Sequence, residues 1–134
     1  MTKDTDSGGE APDENGLRVY DLKQRTKLFA LRVIKLYGKL PKQTVAQTIG
    51  KQVLRSGMSI GANYREADQG RSRAEFIAKM GDSLREIEET EYWFELLIEA
   101  EIIRPALMTS LLAEVQELKL IFSTIIRKAR QGGK

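Results

Sequence analysis

The chain of 134 residues has no cysteine and no histidine. The first absence excludes disulfides, thiolate metal sites and cysteine nucleophiles. The second removes the commonest metal ligand and general base, so neither a Ser-His-Asp relay nor a histidine-bearing metal centre can be built from these residues. Long apolar runs are missing too. None approaches the ~20 residues that span a bilayer, and the N-terminus lacks the apolar core of a secretory signal. The expectation is a soluble, cytoplasmic, bacterial-type chain with no membrane partner. What is present is ordinary for a globular protein: 41% apolar and 31% charged residues, in a chain long enough to bury one domain's core.

The first sixteen residues, "MTKDTDSGGEAPDENG", hold no large apolar side chain after Met1. Burial cannot offset their ordering entropy, so residues 1–16 are expected to be a disordered acidic tail. Lys3 against Asp4, Asp6, Glu10, Asp13 and Glu14 gives the tail −4 of a total of +3, leaving +7 for residues 17–134. From Leu17 the pattern is helical, and nothing reads as a strand. Leu22, Thr26, Phe29, Val33, Leu36 and Leu40 recur at three- and four-residue spacing, one helix face, which Gly38 and Pro41 end. A second helix is predicted over about Thr44–Ala67, with Val45, Ile49, Val53, Ser56, Ile60, Asn63 and Ala67 inward. Gly70 stops it. Ser72-Arg73-Ala74-Glu75 matches a capping box, opening a third helix to about Ala100 with Phe76, Met80, Ser83, Ile87, Phe94 and Leu97 inward. Arg104-Pro105 breaks the chain again, and proline suits a first helical position. The fourth helix carries Leu107, Leu111, Val115, Leu118, Phe122, Ile125 and Ala129, with Met108, Leu112, Leu120, Ile121 and Ile126 off that stripe. The prediction is an all-α, antiparallel up-down four-helix bundle over residues 17–130, with a frayed basic end over 131–134. The surplus apolar surface of the fourth helix points to self-association, against the alternative of a wide intramolecular core.

Charge is unevenly spread. Residues 17–42 hold eight basic and one acidic residue, 74–103 two basic and nine acidic, and 104–134 six basic and two acidic. Arg25, Arg32, Lys35 and Lys39 fall within about 80° of arc beside the apolar face, and Arg127, Lys128 and Arg130 form a second basic cluster. Two readings stand. The basic first helix pairs with the acidic third, within or between subunits, or the basic faces point outward and hold phosphates. With Tyr37 as the sole aromatic among these cations, stacking-based readout of single strands is disfavoured. The acidic run "DSLREIEETEYWFELLIEAE" reads as a solvated face. A carboxylate-bridged metal pair in a bundle would call for Glu-x-x-His motifs, which the sequence cannot supply. No cofactor or metal is expected.

One polar group remains. Asn63 and Glu66 lie at i and i+3, near Ser59 and Ser56, and Ser83 and Glu86 repeat that spacing on the next helix. A catalytic reading needs a perturbed carboxylate in a cleft and a reacting partner. A structural reading needs only mutual hydrogen bonds that fix helix register, and with no base, nucleophile or cofactor motif nearby it is preferred. Gly57 and Gly61, one turn apart, would let another helix approach closely.

The stretch "QVLRSGMSIGANYREADQGRSRAEF" resembles the signature of the four-helix-bundle family named for the 23S rRNA intervening-sequence protein, also labelled S23-type. In that signature a glutamine and an arginine lead to Ser-Ile, then Asn and Glu at three-residue steps. Here these are Gln52, Arg55, Ser59-Ile60, Asn63 and Glu66. The next helix of the family opens with a polar cap and Glu-Phe, followed by a Gly-Ser step and paired glutamates, which Glu75-Phe76, Ser83, Glu86 and Glu88 match, with Asp82 where glycine is usual. Tyr64-Arg65 replaces the usual Ile-Ala, and Ala67 a glycine. "VYDLKQRTKLFALRVIKLYGKLP" is similar to the family's first helix, and the resemblance covers about residues 18–130. It implies bundles that assemble as pentameric rings, some encoded inside insertions in 23S rRNA genes. A related branch, the accessory variability determinants of diversity-generating retroelements, is basic, binds nucleic acid and partners a reverse transcriptase. Neither branch is catalytic by itself. The expectation is therefore a non-catalytic homo-oligomer, a pentamer, binding RNA or DNA through its basic helix faces. The alternatives are a retroelement accessory protein bound to a reverse transcriptase and its RNA, or a scaffold for protein contacts alone.

Overall fold

The computed structural model describes residues 21–132. The acidic tail expected over 1–16, and the last two residues of the frayed end expected over 131–134, lie outside the described residues. Helix α1 spans Leu22–Gly38, α2 Thr44–Asp68, α3 Arg73–Glu99 and α4 Pro105–Gln131, and no strand occurs among the described residues. Consecutive helices pack side by side, α1 on α2, α2 on α3 and α3 on α4, whereas α1 and α4 approach at few positions. The architecture is an all-α, up-down four-helix bundle. No helix among the described residues is long and apolar enough to cross a membrane.

The boundaries follow local chemistry. The Asp21 carboxylate accepts from the Gln24 amide at 3.1 Å and starts α1. After Gly38 the chain is pinned: the Tyr37 hydroxyl donates to Gln47 Oε1 at 2.5 Å, and Gln47 Nε2 donates to the Pro41 carbonyl at 2.8 Å. Ser72 caps α3 by accepting from the Glu75 amide at 3.1 Å. The expected capping box is modified, because the Glu75 carboxylate accepts from the Arg71 amide, 2.7 Å away, rather than from that of Ser72. Helix α3 ends in a Schellman motif, with Ile102 N–H donating to Leu97 and Glu101 N–H to Ile98. Glu101, at φ 59°, occupies the left-handed position that glycine usually fills.

All six inward positions expected of the first helix are buried. The rings of Phe29 and Phe94 meet across the bundle at 6.3 Å, and Tyr64 meets Phe122 edge-on at 6.0 Å, linking helices that share no side. At the ends of α2 and α4 the inward face differs from the expectation. Ala46 is buried instead of Val45, and Met108 instead of Leu107; Ile126 is buried, while Ile125 is half-covered. Because α4 leans on α3 and barely on α1, its α3-facing side is the covered one. Most of its supposed surplus thus faces the core. Leu107 and Leu120 stay exposed, and the other exposed large apolar residues include Leu28, Leu31 and Ile34 of α1.

Helix α1 seats closely on α2 because glycine lines the contact. A Cβ added at Gly57 would stand 3.0 and 3.1 Å from the Val33 methyls, and one at Gly61 3.0 Å from the Thr26 hydroxyl and 3.6 Å from its backbone carbon. Gly81 of α3 is different, since a Cβ there would meet only Arg85 Nη1 at 4.0 Å. Alanine gains about 1 kcal/mol over glycine inside a helix, while overpacking a closed contact costs about 1–3 kcal/mol. Val33 is β-branched and buried, so it has little freedom to yield. Urea denaturation is therefore expected to show Gly57→Ala less stable than wild type and Gly81→Ala as stable or more so. The reverse order would contradict the close α1–α2 contact.

Candidate nucleic-acid interface and polar seam

The structure divides the basic residues singled out by sequence. Arg25 turns toward α4: its Nε lies 2.7 Å from Glu114 Oε2, and its Nη2 2.9 Å from Glu114 Oε1 and 2.9 Å from Glu117 Oε1. The Arg25 and Glu114 side chains keep only 18% and 17% of their exposure. Hydrogen bonding to Glu114 holds the Arg25 guanidinium above its ordinary range. Arg25 is thus part of the α1–α4 seam rather than an open phosphate site. Arg32 Nη2 donates to Ser110 Oγ at 2.6 Å across the same seam. Lys35 and Lys39 are exposed, with no ion pair among the described residues.

Arg127, Lys128 and Arg130 are also exposed and without an ion pair among the described residues, but they lie at the other end of the bundle. Seventeen residues of helix between Ser110 and Arg127 correspond to about 26 Å. The two clusters do not form one patch. Exposed Arg65, Arg71 and Arg73, at the α2–α3 corner, share the end where α4 terminates. Sequence reading passes over them because neighbouring acids hide them in any window. Two of those acids are engaged locally: Glu66 pairs with Lys79 at 2.6 Å, and Glu75 accepts from the Arg71 amide.

The polar knot also divides. Its buried part joins α2 to α3. Ser83 Oγ donates to the Ile60 carbonyl at 2.9 Å, and Thr90 and Ser56 hydroxyls are hydrogen-bonded at 2.7 Å. Thr90 is not among the residues that the sequence pattern singles out, although its four-plus-three spacing from Ser83 is a signal. The outer part lies at the rim, half-buried to exposed. Arg55 pairs with Glu86 at 3.3 Å and with Glu89, and this hydrogen bonding holds the Glu89 carboxyl below the usual range. Ser59 bonds back to the Arg55 carbonyl at 2.7 Å. Asn63 is half-buried. Glu66 does not take part in the mutual hydrogen bonding expected of the knot: it lies outside the covered face of α2, where Lys79 meets it. Among the described residues no group of three or more His, Cys, Asp or Glu could hold a metal ion.

Buried and exposed polar groups should respond differently. Thr90→Val leaves the Ser56 hydroxyl unpaired, a loss of about 1–3 kcal/mol. Arg25→Ala strips half-buried Glu114 of its partner and is expected to cost a similar ~1–3 kcal/mol. Glu66→Ala removes only an exposed pair and should melt close to wild type. Thermal denaturation of the three variants checks this, and a Glu66→Ala loss as large as that of Thr90→Val would contradict the division.

The chain matches the model of the family described as 23S rRNA-intervening sequence protein over residues 18–124. No curated protein matches it. Among solved structures it is similar to a protein of unknown function from the S23 ribosomal protein family of Bacteroides thetaiotaomicron VPI-5482. The two share 42% sequence identity at a TM-score of 0.74, over 79% of this chain and 95% of that one.

Proposed function

The chain belongs to the 23S rRNA-intervening sequence protein family, and on that premise we propose that it is a non-catalytic cytoplasmic scaffold that associates with itself and binds nucleic acid. The observation that carries this reading is the set of cations without acidic partners among the described residues: Lys35, Lys39, Arg127, Lys128 and Arg130 all stand exposed on helix faces or at their ends. Nothing in their surroundings selects a base, since the one aromatic beside them, Tyr37, is half-buried and bonded to Gln47 rather than offered as a stacking platform. They would engage the phosphate backbone, with little dependence on sequence. A single copy offers few contacts, and an assembly repeats them, so that weak sites add through multivalency. The family resemblance makes a pentamer the assembly to look for.

A salt titration of RNA and double-stranded DNA binding tests the reading. Binding should be largely independent of sequence and should fall steeply with salt, because each neutralised phosphate releases condensed counterions. Arg127→Glu with Lys128→Glu removes two exposed cations and disturbs no described ion pair. It is expected to weaken binding to all sequences and to flatten the logarithmic salt slope by about 1 for each phosphate no longer neutralised. Absence of wild-type binding at low salt would overturn the nucleic-acid reading.

A further inference from the structure

The acidic and basic halves of this molecule cannot neutralise each other within one chain. Helices α1 and α3 are diagonal in the bundle and share no side. On α1, Arg25 is engaged by α4. On α3, Glu86, Glu89 and Glu91 are taken by Arg55 and Lys119. Glu88, Glu95 and Glu99 stand exposed without an ion pair among the described residues, although the charges of Glu88 and Glu95 also act on Lys119, which is bonded to Glu91. On α1, Lys27 and Lys35 also stand exposed without an ion pair among the described residues.

Between these charges each helix carries apolar surface in the same order. On α1, Lys27, Leu31 and Lys35 are four residues apart, and Leu28, Leu31 and Ile34 are 49%, 51% and 47% exposed. On α3, Glu88, Tyr92 and Glu95 follow at four and three residues, and Tyr92 is 52% exposed. At about 100° per residue each triplet spans one helix face, and both face away from the core. One helix thus reads plus, apolar, plus, and the other minus, apolar, minus.

We propose that the outward face of α1 docks on the outward face of α3 of a second copy of this chain, Leu31 and Ile34 against Tyr92, Lys27 and Lys35 beside Glu88 and Glu95. This rests on the self-association reading above and names the surfaces it uses. Two different patches meet, so the contact is heterologous. It repeats head to tail and closes into a ring when the rotation per copy allows. Lys35 belongs to this contact, which leaves Lys39 and the cations at the far end of α4 for phosphate.

The assignment has a complementation test, read as mass by light scattering at tens of micromolar protein. Lys27→Glu with Lys35→Glu makes both outward faces acidic, and Glu88→Lys with Glu95→Lys makes both basic. Each double variant is expected to associate at least tenfold more weakly than wild type. An equimolar mixture of the two should recover association, because the acidic α1 of one variant now meets the basic α3 of the other and its acidic α3 the other's basic α1; the alternation is complete in open chains and even-numbered rings, and a five-membered ring keeps one like-charged contact. Tyr92→Ala, which leaves charge untouched, should also weaken association. Wild-type assembly by either double variant, or a mixture that stays dissociated, overturns the face assignment while self-association stands. A monomeric wild type overturns both.

Discussion

The closeness of α1 to α2 is the constraint on which the rest of the bundle depends. A Cβ at Gly57 or Gly61 would press to within 3.0 Å of Val33 or Thr26, so glycine lets the two backbones approach more nearly than leucine-sized side chains permit. On its other flank α2 meets α3 through small hydroxyl residues, with Ser56 bonded to Thr90 and Ser83 to the Ile60 carbonyl. Helices α1 and α3 are both drawn against α2. The fourth side of the bundle is then too wide to close by apolar contact, and long polar side chains span it: Arg25 to Glu114 and Glu117, Arg32 to Ser110.

That asymmetry accounts for what the sequence conveyed and what it did not. The α1 stripe was fully legible because α1 buries one continuous face against both diagonal and lateral neighbours. The α4 stripe was legible in its middle, at Leu111, Val115, Leu118 and Phe122, where every orientation toward the axis is covered. At its ends the choice between Leu107 and Met108, or Ile125 and Ile126, depends on which flank has a neighbour, and periodicity carries no such information. Val45 and Ala46 differ for the same reason: the helix face turned to α1 there is small, and hydrophobicity scales reward the larger residue.

The site was less legible. Sequence showed that the chain is rich in cations and where they cluster along it. It did not show that Glu114, eighty-nine residues from Arg25, withdraws one of them, nor that the two clusters lie at opposite ends. Pairings of that separation are set by topology alone. The polar knot failed as a unit because i, i+3 spacing places Asn63 and Glu66 near one another without saying how far round the helix the buried arc extends. Ser83 falls inside that arc and Glu66 outside.

The order of packing also bears on how the chain acquires its fold. Each well-packed pair of helices is adjacent in sequence and joined by a short connection, so native contacts form with little loop-closure entropy. The pairing of the first helix with the last, α1 with α4, is sparse and made largely by charged and polar side chains. Little of the folding free energy therefore waits on long-range search. Such a topology belongs to the fast class of helical bundles, which fold in microseconds to milliseconds.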